Sequence, residues 1–398
     1  MQQTKPEFRH MRFVQLGVLV LAALGIVVSI IGAIVDIDRF FQVYLVAYLF
    51  CLQFSLGCLG MLMLTTIVHS RWGFAVQRIA AAGARTIPLM AVLLIPILLR
   101  LDVLYPWAQD GVELSGNKGD WLDPGFVVIR TIVYFLIWTG LAYGITLLQF
   151  SNDEDGAEGP VNQSQRLAII GFILFMLTVT FASFDWVMSL NKDFTSSIFG
   201  WLMMAVQGVS AFAFVIIMLS LFWNRAPLKA VTNTRATLDL ATLLLVSIMT
   251  WIYMNAMQYI IIWSGNSQEK GTWFEMHTAN NWEGLVFFIA LVHAVMFVLL
   301  VIPGLKYVRQ LTVAIAVMVI FMRLVDMFWT VMPHFTNDFV LEWWDFGLVL
   351  ALGGAWMVFF LFDLSLHKLV ADKHPEFEHV MTYHEHGRGE VEEGMPSA

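Results

Sequence analysis

The sequence has little charge. Asp, Glu, Lys and Arg make up 13% of its 398 residues, about half of the ~25% that is usual in soluble domains. Hydrophobic residues make up 59% of the chain, and the mean hydropathy is +0.74. This composition predicts an integral membrane protein and excludes a separate soluble domain. The net charge of −8 lies mainly in the loops and gives no indication of a nucleic-acid partner.

Cysteine is almost absent. The two cysteines, Cys51 and Cys58, lie in one apolar segment, and the chain has no CxxC or CxxCH motif. Iron–sulfur clusters and c-type haem bound by such motifs are therefore excluded. A b-type haem between helices needs two facing histidines, whereas only His293 lies deep in an apolar run. We expect no metal and no covalently bound cofactor in this chain.

Long runs of apolar residues dominate the sequence. Each exceeds or approaches the ~20 residues that an α-helix needs to cross a ~30 Å hydrocarbon layer. The first run has spanning length and lacks a small-x-small cleavage site, so we interpret it as a span rather than a signal peptide. The sequence predicts ten spans, at residues 13–35, 42–68, 86–104, 126–150, 166–190, 195–222, 237–264, 282–302, 309–332 and 345–366.

The basic residues predict the orientation. Fifteen of the 22 lysines and arginines fall on the side of the N-terminus, against four in the opposite loops. Because cytoplasmic loops carry the excess of Lys and Arg, we expect both termini in the cytoplasm. The opposite loops are rich in tryptophan, as expected at a membrane interface. The predicted location is a membrane that borders the cytoplasm.

A weak internal repeat divides the chain. Trp72 precedes Arg85 by 13 residues and Trp223 precedes Arg235 by 12, and each pair leads into an apolar run that ends in aromatic residues. The repeat predicts an all-α fold in which spans 2–5 and spans 6–9 form two related four-helix bundles. The predicted segments are 1–36 with span 1, 37–190 with spans 2–5, 191–333 with spans 6–9, 334–366 with span 10, and a tail at 367–398.

Charged residues inside the spans are the candidate site. Arg323 and Asp326 lie in the middle of an apolar run, three residues apart and so on one helix face. Each costs ~2.5–3.5 kcal/mol or more at membrane depth, so it needs a partner, water or a function. Two interpretations stay open for them: a local ion pair that joins helices, and a polar path for protons or substrate. The candidate proton path comprises Asp185, Asp326, Arg323 and His293, followed by Glu283, Arg100, Asp102, Arg130, Tyr134 and His69.

Some members of this set have a simpler interpretation. Arg130, Asp102 and Glu283 are near the predicted ends of their spans and could reach the interface with their side chains. His69 is predicted at the level of the lipid headgroups on the cytoplasmic side. Asp185, Arg323 and Asp326 are too deep for that, and His293 could link them as a group that titrates near neutral pH.

Two blocks of the sequence carry a family resemblance. The block at 40–108, which begins FFQVYLVAYLF, and the block at 181–203, which begins FASFDWVMSL, resemble the NrfD/polysulfide reductase family of membrane subunits. Among its members, the chain most resembles the shorter of the two such subunits of bacterial alternative complex III. The resemblance covers all ten spans. The spans outside the two blocks match mainly in their topology.

The resemblance implies a fold and a function. The family fold is two four-helix bundles with two peripheral helices. The implied function is that of a membrane subunit of a quinol:electron-acceptor oxidoreductase in a respiratory or photosynthetic chain, with a transmembrane proton path. Its partners would be a second related membrane subunit, an iron–sulfur subunit and haem c subunits, with lipids around it. Asp185 of the FDW motif is the one residue transferred from the family. Whether a quinone such as menaquinone binds this subunit stays open.

Two other functions are compatible with the sequence. A stand-alone secondary transporter would have broken helices around its site, and Pro88 and Pro96 in span 3 are compatible with a break. A purely structural anchor subunit would have charges that only pair with one another.

Overall fold

The computed structural model describes residues 9–68, 70–109, 111–112, 117–155, 159–223, 234–265 and 268–367. Within these residues the regular structure is helical, and ten spans are long and apolar enough to cross a membrane. The chain is therefore an all-α, multi-pass membrane protein, as predicted. Spans 1–10 are formed by helices Arg9–Val35, Ile37–Ile67, Arg71–Ala84 with Ile87–Leu98, Pro124–Asp155, Gly159–Trp186, Phe199–Phe222, Thr234–Gly265, Trp282–Val301, Arg309–Val331 and Asp345–Leu366.

Short helical pieces fill the connections. With ten spans, span 1 begins and span 10 ends at the same face of the membrane, which we call the terminal face. The short pieces near the opposite face are Leu101–Leu104, Pro106–Ala108, Asn117–Trp121, Met188–Leu190, Gln268–Thr278 and Met332–His334, and Pro303–Lys306 lies near the terminal face.

Span 3 differs from its prediction. It was expected at 86–104, but a first helix already begins at Arg71, where Ser70 caps it by accepting a hydrogen bond from Gly73 N at 3.2 Å. The basic stretch is thus helical rather than a loop. The helix ends at Ala84 and a second one starts at Ile87. Pro88 causes the break because it has no N–H to donate to the carbonyl group of Ala84.

The spans pack as two rings of four. In the first ring each of spans 2–5 contacts the next, and span 5 returns to span 2; spans 6–9 form the second ring in the same way. The rings meet mainly where spans 2 and 5 contact span 6 and where span 2 contacts span 9. Spans 1 and 10 lie along each other and rest on span 2. Span 2 is central, since 94% of its most apolar stretch is buried.

A glycine sets the distance between the two bundles. A Cβ at Gly57 of span 2 would overlap the carbonyl oxygen of Gln207 in span 6 and lie 2.9 Å from Cβ of Ala211. The two backbones can approach this closely only without a side chain at position 57. Small residues at helix crossings are a usual device in membranes, where close packing replaces the hydrophobic effect between helices.

Gly57→Ala should destabilise the protein. Overpacking costs about 1–3 kcal/mol, so we expect a lower thermal unfolding midpoint in detergent than that of the wild type. Gly140→Ala is the matched control, because a Cβ at Gly140 in span 4 meets nothing within 4 Å. The control should keep or slightly raise the midpoint, since Ala favours helix over Gly. Equal midpoints for the two variants would contradict this account of the crossing.

Candidate functional site

Two clusters of charged residues lie inside the bundles, one in each. The first is centred on Asp185 near the end of span 5, and its side chain is completely buried. Arg130 of span 4 donates to both carboxylate oxygens, Nε to Oδ2 at 3.1 Å and Nη2 to Oδ1 at 2.8 Å. The hydroxyl group of Tyr134 donates to Oδ2 at 3.0 Å, and Trp121 Nε1 donates to Oδ1 at 3.0 Å. One carboxylate thus accepts four hydrogen bonds.

Local structure explains this convergence. Arg130 and Tyr134 are four residues apart in span 4, so they project from one helix face. Trp121 belongs to the short helix Asn117–Trp121, which precedes span 4. The guanidinium group of Arg130 also lies over the rings of Trp121 and Phe126, at 4.1 and 4.3 Å from their centres. Arg130 is therefore held by a carboxylate and two aromatic faces, and it does not extend to the interface.

Tyr105 lies next to this cluster. Its hydroxyl group donates to the carbonyl oxygen of Trp186 at 3.0 Å. Burial raises the pKa of the Tyr105 phenol above its ordinary value, and the negative charge of Asp185 raises it further. Tyr105 therefore stays protonated and acts as a hydrogen-bond donor at the end of span 5.

The second cluster joins spans 7, 8 and 9. Arg323 is completely buried, and its Nη1 donates to Oδ2 of Asp326 at 3.1 Å. Its Nη2 makes a short contact with Nε2 of His293 in span 8. The guanidinium group also lies 4.4 Å from the ring centre of Trp251 in span 7. Three of the four residues predicted as the centre of the path therefore meet at one place.

The hydrogen bonds define the tautomer of His293. Its Nδ1 lies 2.8 Å from the carbonyl oxygen of Ile289, one helical turn earlier, and a carbonyl oxygen only accepts. The proton therefore resides on Nδ1, and Nε2 presents its lone pair to Arg323. The imidazole stacks on Trp251 with ring centres 4.1 Å apart. His293 is thus a neutral acceptor for a buried arginine.

The two clusters occupy equivalent positions in the two bundles. Each has its acid near the opposite-face end of the bundle's fourth span, followed four residues later by a hydroxyl residue. Ser189 donates to the carbonyl oxygen of Asp185 at 2.6 Å, and Thr330 donates to that of Asp326 at 2.8 Å. A short 3-10 turn ends both segments, Met188–Leu190 around Ser189 and Met332–His334 just after Thr330. This shared D-x-x-x-(S/T) pattern is a signal of the repeat that the sequence analysis missed.

Two further ion pairs attach span 10. Arg39 at the start of span 2 binds Asp345 through Nη2 at 2.6 Å and Nε at 3.1 Å. Arg85, at the break in span 3, binds Asp363 through Nη2 at 2.5 Å and Nε at 2.9 Å. Neither acid was predicted, because each lies near an end of span 10 and resembles an interfacial residue.

Four predicted residues do not join a cluster. Arg100 and Asp102 form a loose contact at 3.8 Å, with Arg100 half-buried and Asp102 largely exposed. Glu283 lies exposed in the first turn of span 8. His69 lies outside the described residues. The described part of the candidate site is therefore two separate clusters rather than one continuous chain of predicted residues.

His277 is a buried histidine that lies between the predicted spans 7 and 8. It belongs to the helix Gln268–Thr278, and its Nδ1 lies 2.6 Å from the carbonyl oxygen of Trp273. Burial lowers the pKa of His277 to about 4 from its ordinary 6.5, although hydrogen bonds to the carbonyl groups of Trp273 and Thr330 act in the opposite direction. His277 is therefore neutral at physiological pH and anchors this helix against the end of span 9.

Neither a protein-family model nor a curated protein matches the chain. Among the described residues, no group of three or more His, Cys, Asp or Glu side chains is arranged to hold a metal ion. The functional conclusion therefore depends on the fold, the two clusters and the chemistry of their residues.

A double-mutant cycle on Arg130 and Asp185 tests the first cluster. Removing one partner leaves a buried charge unpaired, so Arg130→Met or Asp185→Leu alone should cost about 3–5 kcal/mol. The double variant should be more stable than either single variant, because no charge is left in the cluster. The measurement is thermal unfolding in detergent, with Arg100→Met as a control of small effect, because Arg100 is half-buried and its nearest carboxylates lie 3.8 and 3.9 Å away. Additive losses would contradict a direct pair.

Stability should fall between pH 6.5 and pH 4 because of His277. The unfolded chain binds a proton at this residue near pH 6.5, whereas the folded protein does so only near pH 4. The stabilisation is complete above pH 6.5 and is lost as the pH falls, by up to about 3 kcal/mol. Thermal unfolding at a series of pH values measures it. His277→Gln should flatten the profile in this window; an unchanged slope would exclude His277 as its source.

Proposed function

We propose that the chain is an integral membrane subunit of a quinol:electron-acceptor oxidoreductase of the alternative complex III type, in the bacterial cytoplasmic membrane. In this proposal it contributes a transmembrane proton path. A second related membrane subunit, an iron–sulfur subunit and haem c subunits complete the complex. The electron carriers are assigned to these partners because the sequence has no CxxC or CxxCH motif. A quinone such as menaquinone is a candidate ligand.

The observation that carries the proposal is the way Arg323 is shared. Its buried guanidinium group contacts the carboxylate of Asp326 and the neutral imidazole of His293, which comes from another span. Its Nε finds no acceptor among the described residues. An ion so deep in hydrocarbon is costly, and such residues mark proton or ion pathways in many membrane proteins.

The cluster has the chemistry of a transient proton carrier. The carboxylate of Asp326 can take up a proton, and Nε2 of His293 offers a second acceptor beside the same guanidinium group. Two neighbouring acceptors on different spans are what a proton relay requires. Asp185 is the corresponding acid in the first bundle.

Apolar surface supports a position among lipids and partner subunits. Spans 1 and 8 bury only 22% of their most apolar stretches within this chain. The remaining surface is suited to lipid chains or to other membrane helices, since exposed apolar surface of this extent requires a cover or a bilayer.

Asp326→Asn should lower the number of protons released per quinol oxidised by the intact complex. Asparagine keeps the shape of the side chain but cannot bind the proton, so transfer through the second cluster stops. Asp185→Asn tests the first cluster in the same way, and Asp102→Asn is the control because Asp102 is an exposed acid outside both clusters. Proton release is followed with a pH indicator during quinol oxidation. An unchanged stoichiometry in both cluster variants would remove the proton-path proposal.

A secondary transporter is the second candidate, and the break in span 3 favours it. Discontinuous helices surround the binding sites of many transporters, and here the break holds Arg85, which binds Asp363. Purification in mild detergent distinguishes the two. Haem c absorption and iron–sulfur protein that copurify with the chain support the complex, whereas a colourless protein that is stable alone supports the transporter.

A structural anchor is the third candidate, because ion pairs Arg39–Asp345 and Arg85–Asp363 already join spans. For an anchor, the double variant Arg323→Met with Asp326→Leu would retain the activity of the complex, since apolar residues can replace a buried pair. For a proton path, that variant would lose proton release even where it folds normally.

A further inference from the structure

A large cavity lies between the two bundles. Its volume is about 480 Å³, and it is bounded by spans 2, 5, 6 and 7. Ligand sites in proteins commonly have volumes of ~300–1,000 Å³ and mainly apolar walls. Most of this wall is hydrocarbon, thioether or aromatic, with Met61, Phe175 and Phe212 among its members. The cavity is separate from both charged clusters, because none of the cluster residues lines it.

Glycines create the space. Gly60 and Gly208 line the cavity, and a Cβ at Gly208 would meet nothing within 4 Å. A Cβ at Gly60 would only touch the ring of Phe175, at 3.5 Å. The backbones next to these glycines therefore tolerate a side chain. Gly57, which also lines the cavity, is different because it is needed for the helix crossing.

The cavity faces the hydrocarbon layer. Its outer walls are the half-buried Phe172 and Met176 of span 5, together with Trp201 and Val246, whose side chains are 55% and 46% exposed. All four belong to membrane spans. A molecule would therefore reach the cavity from the bilayer and must be dissolved in it.

One residue of the lining, Gln207, carries a polar atom that has no partner among the described residues. The lining hydroxyl groups of Ser247 and Thr250 donate to carbonyl groups of their own helix, at 2.8 Å each. Gln207, by contrast, is only 9% exposed, and its Oε1 has no hydrogen-bond partner among the described residues. A buried amide oxygen without a donor is costly. The apolar wall together with this one unsatisfied acceptor defines the chemistry of a ligand.

We propose that this inter-bundle cavity binds a membrane-dissolved molecule that has an apolar body and a hydroxyl group, and that the hydroxyl group donates to Gln207. A hydroxyl group both donates and accepts, so it can pair with either end of the amide. The apolar body fills space that would otherwise leave the lining side chains without contacts. This inference does not depend on the proposed function, because neither cluster takes part in it.

A water molecule is the competing partner for Gln207. Gln207 also lines a smaller cavity of about 40 Å³ with Gln53, whose Nε2 likewise has no partner among the described residues. This volume is enough for water. If water is the partner, Gln207 has no influence on what binds in the larger cavity. An experiment can therefore distinguish a bound water molecule from a bound ligand hydroxyl group.

The test uses farnesol and farnesyl methyl ether as probes of the full-length protein in detergent. Both have the same apolar chain, but only the alcohol carries a donor. We expect farnesol to bind roughly two- to tenfold more tightly than the ether, the contribution of one hydrogen bond. Gln207→Met should lower the affinity for farnesol to that for the ether. Binding is measured by calorimetry, with the unfolding midpoint as the check of folding.

Gly208→Phe locates the site. The new ring should occupy the cavity and weaken binding of both probes at least tenfold, and Gly208→Leu is a smaller replacement if the first variant folds poorly. Gly140→Phe is the matched control and should bind both probes normally, because Gly140 also has open space around it but does not line the cavity.

Three outcomes would overturn the proposal. Equal affinity of the wild type for alcohol and ether would mean that only hydrocarbon is recognised. A farnesol preference that persists in Gln207→Met would assign the hydroxyl group to another partner and Gln207 to water. Unchanged binding in a folded Gly208→Phe variant would locate the probes elsewhere.

Discussion

Burial of arginine–aspartate pairs between the helices is the interaction on which the rest of this structure depends. An unpaired charge in the protein interior is so costly that each of these buried arginines fixes the position of its carboxylate partner. Arg39–Asp345 and Arg85–Asp363 hold span 10 against spans 2 and 3. Arg130–Asp185 joins spans 4 and 5, and the contact of Arg323 with His293 joins spans 8 and 9. These pairs set the register of helices whose apolar faces alone would allow sliding.

The two equivalent clusters differ in what they can do. Asp185 accepts four hydrogen bonds and is therefore held as a rigid group. Among the described residues, the side chain of Asp326 accepts only from Arg323, which shares its guanidinium group with a neutral histidine. Protonation of Asp326 breaks fewer bonds, and His293 offers a neighbouring acceptor. The second bundle is thus better suited to proton exchange, and the first to holding its geometry.

The sequence predicts the spans and the deep charges because both follow from local chemistry. A run of ~20 apolar residues specifies a span, and Arg323 with Asp326 within such a run specifies a buried pair. Partners on other helices were harder to predict. Arg130 was compatible with an interfacial position until span 5 placed Asp185 opposite it, and Asp345 and Asp363 lie near helix ends where acids are common. The cavity beside Gly208 depends on how four spans pack, which no single segment encodes.

The central claim is that Asp326 exchanges a proton while the protein works. Infrared difference spectroscopy on the proposed quinol-oxidising complex during turnover tests it most directly, because a protonated carboxyl group absorbs separately from a carboxylate. The account predicts a transient carboxyl band that disappears in Asp326→Asn and persists in Asp102→Asn. A spectrum without such a band in the wild type, or with one that Asp326→Asn leaves unchanged, would contradict it and leave the second cluster a structural ion pair.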